Sequence, residues 1–285
     1  MYDYYAPLKR HLHDLDLAPA ARPKLAIQLG SGLADTFSEL LAHTYDIPYE
    51  TLYQNSQTTT IGHRAKLRLG QLNGLSVLVF EGRFHLYEGY GVDTVCQNVI
   101  TAALLGCQHM IFCNAAGALN SAFKPGHVCL LSDHLNMTGE NPLIGIPAEV
   151  ATDFKRSHAF INLHDAYSPT AQQALLNIAS AKNIPLSQGN YAGVKGPSLE
   201  SSAERRMLNQ MGADLVGMST VNEVIMSRYL GLETTGLSVI TNMATGDAHQ
   251  AADSIEDILY FAQLGGQHIA NLVSAYAPSL NDPSG

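Results

Sequence analysis

Short apolar runs rich in β-branched and aromatic residues recur along the chain: Lys24 to Leu29, Lys66 to Leu69, Leu75 to Phe80, His109 to Cys113, His127 to Ser132 and Thr235 to Ile240. Runs of this kind, several bounded by glycine, predict buried strands. Between several of them apolar residues return every three or four positions, which predicts helices over 92–105, 168–182, 203–211 and 221–230. Strands alternating with helices predict an α/β protein, a central mixed β-sheet flanked by helices. No internal repeat, low-complexity tract or linker interrupts the pattern, so residues 1–285 read as a single domain. Residues 138–165 look irregular and polar, a long surface excursion, and a loose tail is expected from about residue 278.

Composition narrows the class. With 46% hydrophobic residues in 285, the chain can bury a substantial core. No apolar run reaches the roughly 18 residues of a membrane helix, and the first residues, Met1-Tyr2-Asp3-Tyr4-Tyr5, lack the basic and apolar regions of a signal peptide, so a cytoplasmic protein with no membrane partner is expected. A net charge of -9, with Lys and Arg scattered, argues against nucleic acid as a partner. Cys96, Cys107, Cys113 and Cys129 form no close pair and sit in mostly apolar surroundings, which favours buried free thiols over disulfides or a metal site.

Against that background residues 81–90, Glu-Gly-Arg-Phe-His-Leu-Tyr-Glu-Gly-Tyr, stand out in a chain only 14% charged. They leave the end of a predicted strand, where ligand chemistry sits in α/β sheets, and the arginine and histidine two apart suit an anion; a solvated loop is the alternative. Gly30-Ser31-Gly32-Leu33-Ala34 follows the first strand, where backbone amides and a hydroxyl can meet an anion or a tight turn can simply form. Asp35 stands where a dinucleotide fingerprint would need its third glycine. Gly62-His63-Arg64 and Asn114-Ala115-Ala116-Gly117 flank other strands. Glu200, beyond the Gly196-Pro197 turn, could complement a helix dipole or bind a ligand, and Ser219 could be an N-cap or a ligand contact.

Together these segments resemble the trimeric class of purine nucleoside phosphorylases. The resemblance rests on Leu29-Gly30-Ser31-Gly32-Leu33, Gly62-His63, Gly82-Arg83-Phe84-His85-Leu86-Tyr87-Glu88-Gly89, Asn114-Ala115-Ala116-Gly117, Ser132-Asp133-His134-Leu135-Asn136, Asn141-Pro142-Leu143, Gly196-Pro197-Ser198-Leu199-Glu200, Gly217-Met218-Ser219-Thr220-Val221 and Ile240-Thr241-Asn242, in the family's order from residue 29 to 242. It implies a nucleoside phosphorylase-like fold and phosphorolysis of purine (2′-deoxy)ribonucleosides to free base and pentose 1-phosphate, as in purine salvage. Inorganic phosphate is then a co-substrate, with no cofactor and no metal.

By the same resemblance Ser31, His63, Arg83, His85, Ala115 and Ser219 would hold phosphate, arginine as a two-pronged donor beside neutral hydroxyls and amides. Tyr87 and Met218 would contact ribose. Ala116, Leu199, Glu200, Val216, Thr241 and Asn242 would surround the purine, with Glu200, Asn242 and His85 as the catalytic set. Asn242 donating to N7 or O6, and Glu200 accepting from N1–H, would favour 6-oxopurines such as inosine, guanosine and xanthosine over adenosine. Glu88 and Gly89 would shape the loop. Phe160 resembles the aromatic that the family lends to a neighbouring subunit, which implies a homotrimer.

The chain also departs from the family. Ile255 stands where a histidine usually contacts the sugar 5′-OH, with His249 nearby in sequence, and an apolar residue there would suit a 5′-deoxy or 5′-methylthio substrate. Leu199 replaces an aromatic, Arg64-Ala65 the usual Ala-Gly, and Asn222 a proline. The competing readings are a non-catalytic nucleoside-binding module and a metal hydrolase built on His63, His85 and His134.

Overall fold

The computed structural model describes residues 2–14, 22–53, 63–247 and 254–281. Nine strands are found among them: β1 (Leu25–Leu29), β2 (Ala42–Pro48), β3 (Lys66–Leu72), β4 (Leu75–Glu81), β5 (His109–Ala118), β6 (Val128–Asn136), β7 (Leu186–Gly193), β8 (Leu215–Gly217) and β9 (Glu233–Met243). They form one mixed sheet in the order β2-β3-β4-β1-β5-β8-β7-β6-β9, and β9 also pairs with β5, so the last five strands of that order close on themselves. The neighbours β4, β1, β5 and β9 are mutually parallel, which brings their carboxyl ends to one edge of the sheet.

Helices cover both faces. One core packs α1 (Tyr5–Asp14), α5 (Gln97–Leu104) and α9 (Val221–Leu230) against the sheet, and the other packs α2 (Ala34–Ser38), α7 (Pro169–Lys182) and α10 (Ile255–Tyr276). The two-residue period of β5 divides its side chains between them: Met110 and Phe112 enter the first core, Ile111 and Cys113 the second. Strands buried on both faces read as continuous apolar runs, which is why β1, β4 and β5 are plain in the sequence. All four cysteines are buried and free, and burial pushes the Cys113 thiol up to about 12. No helix among the described residues is long and apolar enough to cross a membrane.

Several expectations change. The helix expected over 92–105 is two, α4 (Val92–Val95) and α5, because the Cys96 N–H is shared between the Val92 and Asp93 carbonyls and its ψ opens to 2°. The excursion over 138–165 contains a short helix, α6 (Ala148–Asp153). Residues 278–281, expected as the start of a loose tail, lie in a 3₁₀ turn (Ala277–Asn281) after α10, and residues 282–285 lie outside the described ones. β2, β7, β8, α1 and α10 were not expected at all. β2 is an edge strand with six of its seven residues exposed, so it carries no apolar run, and Gly265-Gly266 interrupts the sequence of α10 with what reads as a breaker.

Candidate active site

A cavity of about 590 Å³ opens at the carboxyl ends of the parallel strands. It is lined by thirteen of the expected residues: Ser31, Arg83, His85, Tyr87, Ala115, Ala116, Leu199, Glu200, Val216, Met218, Ser219, Thr241 and Asn242. Residues from nearly every part of the chain therefore meet in one hollow of the size that small-molecule sites have.

At one end lie Ser31, Arg83, His85 and Ser219. Arg83 follows Gly82, whose φ of 138° excludes other residues, and the Gly82 carbonyl is held in the core by Gln28 Nε2 (2.7 Å), Tyr49 Oη (2.6 Å) and Asn98 Nδ2 (3.0 Å). The guanidinium is fully buried. Its Nη1 donates to Ser219 Oγ (2.8 Å) and Thr220 Oγ1 (3.2 Å), its Nη2 donates to the Cys113 (2.8 Å) and Gln28 (3.3 Å) carbonyls, and Glu223 lies 3.5 Å from Nη1. Both prongs expected to clasp an anion are thus committed to the protein, and Nε is the nitrogen with no hydrogen-bond partner in the structure. Arg83 contributes a buried positive charge and fixes the hydroxyls in front of it.

Ser219 is not the N-cap of α9. Thr220 is, reciprocally bonded with Glu223, and it holds φ 74° and ψ −50° while the Val221 N–H reaches the Ser219 carbonyl at 2.8 Å. That is a γ-turn, a strained conformation for a β-branched residue of the kind that clusters at functional sites. Glu200 stands directly before the cap of α8 (Ser202–Gln210), whose capping box is Ser201 with Glu204, so neither Ser219 nor Glu200 is itself a helix cap.

The decapeptide continues as a 3₁₀ turn over Leu86–Glu88, closed by Gly89 at φ 90°. Glu88 Oε1 accepts from the His85 backbone N–H (2.9 Å) and lies 3.0 Å from its Nδ1, which orients the ring. The rings of His63, His85 and Tyr87 stack in sequence, with centroids 5.4 and 4.6 Å apart. His63 does not line the cavity. It stands behind, accepting the Arg83 backbone N–H at Nδ1 (3.2 Å), with Nε2 3.5 Å from Ser31 Oγ. Burial, then the charges of His85 and Arg83, hold His63 down to about 3, and burial also lowers His85 despite its bond to Glu88. Both imidazoles are neutral near pH 7. The His63 proton then sits on Nε2, facing Ser31.

At the other end Glu200 lies 3.9 Å from Arg205 Nε, both nearly buried. Asn242 comes from the end of β9, where the register with β5 shifts between Ala116 and Gly117. Thr241 Oγ1 donates to Asn242 Oδ1 (2.9 Å), and the Asn242 side chain lines the cavity. Between the two ends lie Tyr87 and Met218, the latter packed where Gly196 lacks a side chain. Leu199 lines the mouth, half exposed. Phe160 is not among the residues that line the cavity and is 87% exposed.

Gly30, Gly117 and Pro197, which also line the cavity, belong to motifs the sequence singled out, but Ala244 and the wall formed by Ile258 and Leu259 beside Ile255 were not expected. The signal for that wall was present: apolar residues spaced i, i+3, i+4 directly after Ser254, which caps α10. Gly62 and His249 lie outside the described residues. His134 bonds with Tyr167 at 3.2 Å, away from His63 and His85, and no cluster suited to a metal ion occurs among the described residues.

Residues 24–278 match the model of the phosphorylase superfamily. The chain is 40% identical over 224 residues to purine nucleoside phosphorylase 1 of Geobacillus stearothermophilus, covering 79% of this chain and 80% of that one. A schistosoma purine nucleoside phosphorylase in complex with hypoxanthine superposes with TM-score 0.84 at 31% identity over 95% of this chain and 96% of its own. The Schistosoma mansoni enzyme in complex with adenosine gives TM-score 0.84 at 30% identity over 98% of both chains. The chain belongs to the phosphorylase superfamily and, within it, to the purine nucleoside phosphorylase family.

Proposed function

We propose that the enzyme phosphorolyses 6-oxopurine (2′-deoxy)ribonucleosides, inosine and guanosine foremost, yielding free base and (deoxy)ribose 1-phosphate. The observation that carries this reading is the polarity of the cavity: hydroxyls and an imidazole around a buried guanidinium at one end, a carboxylate and an amide at the other, and Tyr87 and Met218 between. Phosphate bound at Ser31, His85, Ser219 and the Ala115 backbone, with Arg83 and His63 behind them, keeps its charge largely unquenched. A phosphate oxygen then bonds to C1′ as the C1′–N9 bond breaks, and the bonding pair leaves with the purine. The oxocarbenium-like sugar is met by the phosphate's negative charge, and the departing base by the Asn242 amide at N7 or O6. Glu200 accepts the N1 hydrogen of a 6-oxopurine. No cofactor or metal enters the scheme.

Adenine offers Glu200 a lone pair where a proton is needed, and a buried mismatch of that kind discriminates by 10⁴ or so. Initial rates of base release from inosine, guanosine and adenosine, with and without phosphate, test this. Release from the first two should require phosphate and far exceed that from adenosine; equal rates on all three would overturn the 6-oxopurine assignment, and phosphate-independent release the phosphorolysis itself. Turnover is the proper readout, since the schistosome relative has been crystallised with adenosine.

The exposed Phe160 supports a homotrimer in which this ring reaches a neighbouring subunit's site.

A further inference from the structure

The segment ahead of β3 ties together the two loops that carry Ser31 and Arg83. His63 does so beside the anion-binding end, through Ser31 Oγ and the Arg83 N–H. The segment lies directly on Gly82, where a Cβ would stand 3.1 Å from the His63 Cβ and 3.4 Å from the Ala65 nitrogen. Arg64 makes the same connection through a second set of contacts. Its backbone N–H donates to the Glu81 carbonyl (2.9 Å), its Nη2 bonds Asp35, and its Nη1 donates to Ser38 Oγ (3.2 Å) and lies 3.6 Å from Glu81 Oε2. Asp35 and Ser38 belong to α2, the helix that continues the Ser31 loop, whereas Glu81 ends β4 two residues before Arg83.

Glu81 gives the fork a firm anchor. Its carboxylate is buried, with neither oxygen hydrogen-bonded among the described residues, and Arg68 (3.2 Å) and Lys66 (3.6 Å) share it with Arg64. Its charge therefore stays paired when Arg64 is removed, which spares the fold. We propose that Arg64 is a positioning residue for phosphate: by spanning α2 and β4 it sets the spacing of the Ser31 and Arg83 loops, so that Ser31, His63 and His85 address one anion together. The inference rests on the placement of phosphate proposed above. Arg64 is absent from the cavity lining and stands at a position where the chain departs from its family, so the fork is a device of this chain.

A clamp and a mere attracting charge predict opposite signs at Asp35. If Arg64 acted by charge alone, removing the neighbouring anion would tighten phosphate; in a clamp, losing either partner loosens it. The test is the KM for phosphate and for inosine in Arg64→Met, Asp35→Asn and the double variant. Phosphate KM should rise about three- to tenfold in Arg64→Met and about two- to fivefold in Asp35→Asn, the range of a partly exposed ion pair with its flanking bonds. The double variant should stay within about twofold of Arg64→Met, and the inosine KM at saturating phosphate within about twofold of the unaltered enzyme. A phosphate KM that falls or stays level in Asp35→Asn, or that stays level in Arg64→Met, overturns the proposal. So does an equal rise in both KM values, or additivity in the double variant. Phosphate-independent base release by the unaltered enzyme overturns instead the reading beneath it. Should Arg64→Met fail to fold, the sign in Asp35→Asn, whose side chain is exposed, still decides.

Discussion

The hydrogen bonds around Thr220 hold the Ser219 hydroxyl in place. Thr220 Oγ1 accepts from Arg83 Nη1 and from Asn114 Nδ2 (2.8 Å) and shares a hydrogen bond with Ser219 Oγ at 3.0 Å. Ser219 Oγ accepts from Arg83 Nη1 (2.8 Å) and is held beside Thr220 Oγ1, so the hydroxyl is fixed in position at the wall of the cavity. A hydroxyl held in this way beside a buried guanidinium suits an anion. The strain in the γ-turn at Thr220 is what sets that arrangement. Ser219→Ala should therefore raise the KM for phosphate by roughly 10- to 100-fold, the worth of one hydrogen bond to a charged group, while the KM for inosine at saturating phosphate stays within about threefold. Steady-state kinetics with each substrate varied would show it. An equal rise in both KM values would mean that Ser219 serves the fold rather than the anion.

Elements set the site through their irregularities. The register shift between β5 and β9 turns Asn242 toward the cavity, and it works because Gly117 opposite has no side chain: a Cβ there would stand 2.9 Å from the Ala244 Cβ and 3.3 Å from Asn242 Nδ2. Gly117→Ala should displace the amide and cost about 1–3 kcal/mol of transition-state stabilisation, some 5- to 150-fold in kcat/KM for inosine, with the phosphate KM little changed. An unaltered kcat/KM would show that Asn242 does not depend on this packing. Such features also mark the limit of what the chain reveals when read as a string. β1, β4 and the first half of β5 are legible because burial on both faces leaves uninterrupted apolar runs. The loops after them carry motif residues whose identity survives any folding detail, so the ends of the cavity were legible too. What was not legible depends on partners distant in sequence: the polar edge strand β2, the three-residue β8 held between β5 and β7, and α10, whose central glycines serve packing against Val239 and Leu33 and not chain reversal. The direction of the Arg83 prongs belongs to the same class, because it is set by carbonyls at Gln28 and Cys113 that no local pattern connects to residue 83.

At the scale of the molecule, two cores on opposite faces hold four parallel strands in register, and the cavity inherits its rigidity from them. Its mouth is less enclosed, with Leu199 and Ile255 more than half exposed there. Phe160, 87% exposed, is not among the residues that line the cavity, and its ring meets that of His158 with centroids 6.1 Å apart. A phenyl ring left in water is costly, and packing it over another chain's purine or sugar would recover 150–250 Å² of burial. The expected assembly is a trimer of the 30.7 kDa chain, which sedimentation would register directly. In such an assembly Phe160→Ala should lower kcat/KM for inosine by about tenfold without dissociating the trimer, and the defect should be repairable from outside the mutated chain. Mixing Phe160→Ala subunits with Asn242→Ala subunits, by unfolding and refolding the two together, places intact sites next to intact phenylalanines. The mixture should then be more active than the sum of the two parents refolded separately. A monomer in sedimentation, or a mixture no more active than its parents, would mean that each cavity works with its own chain alone.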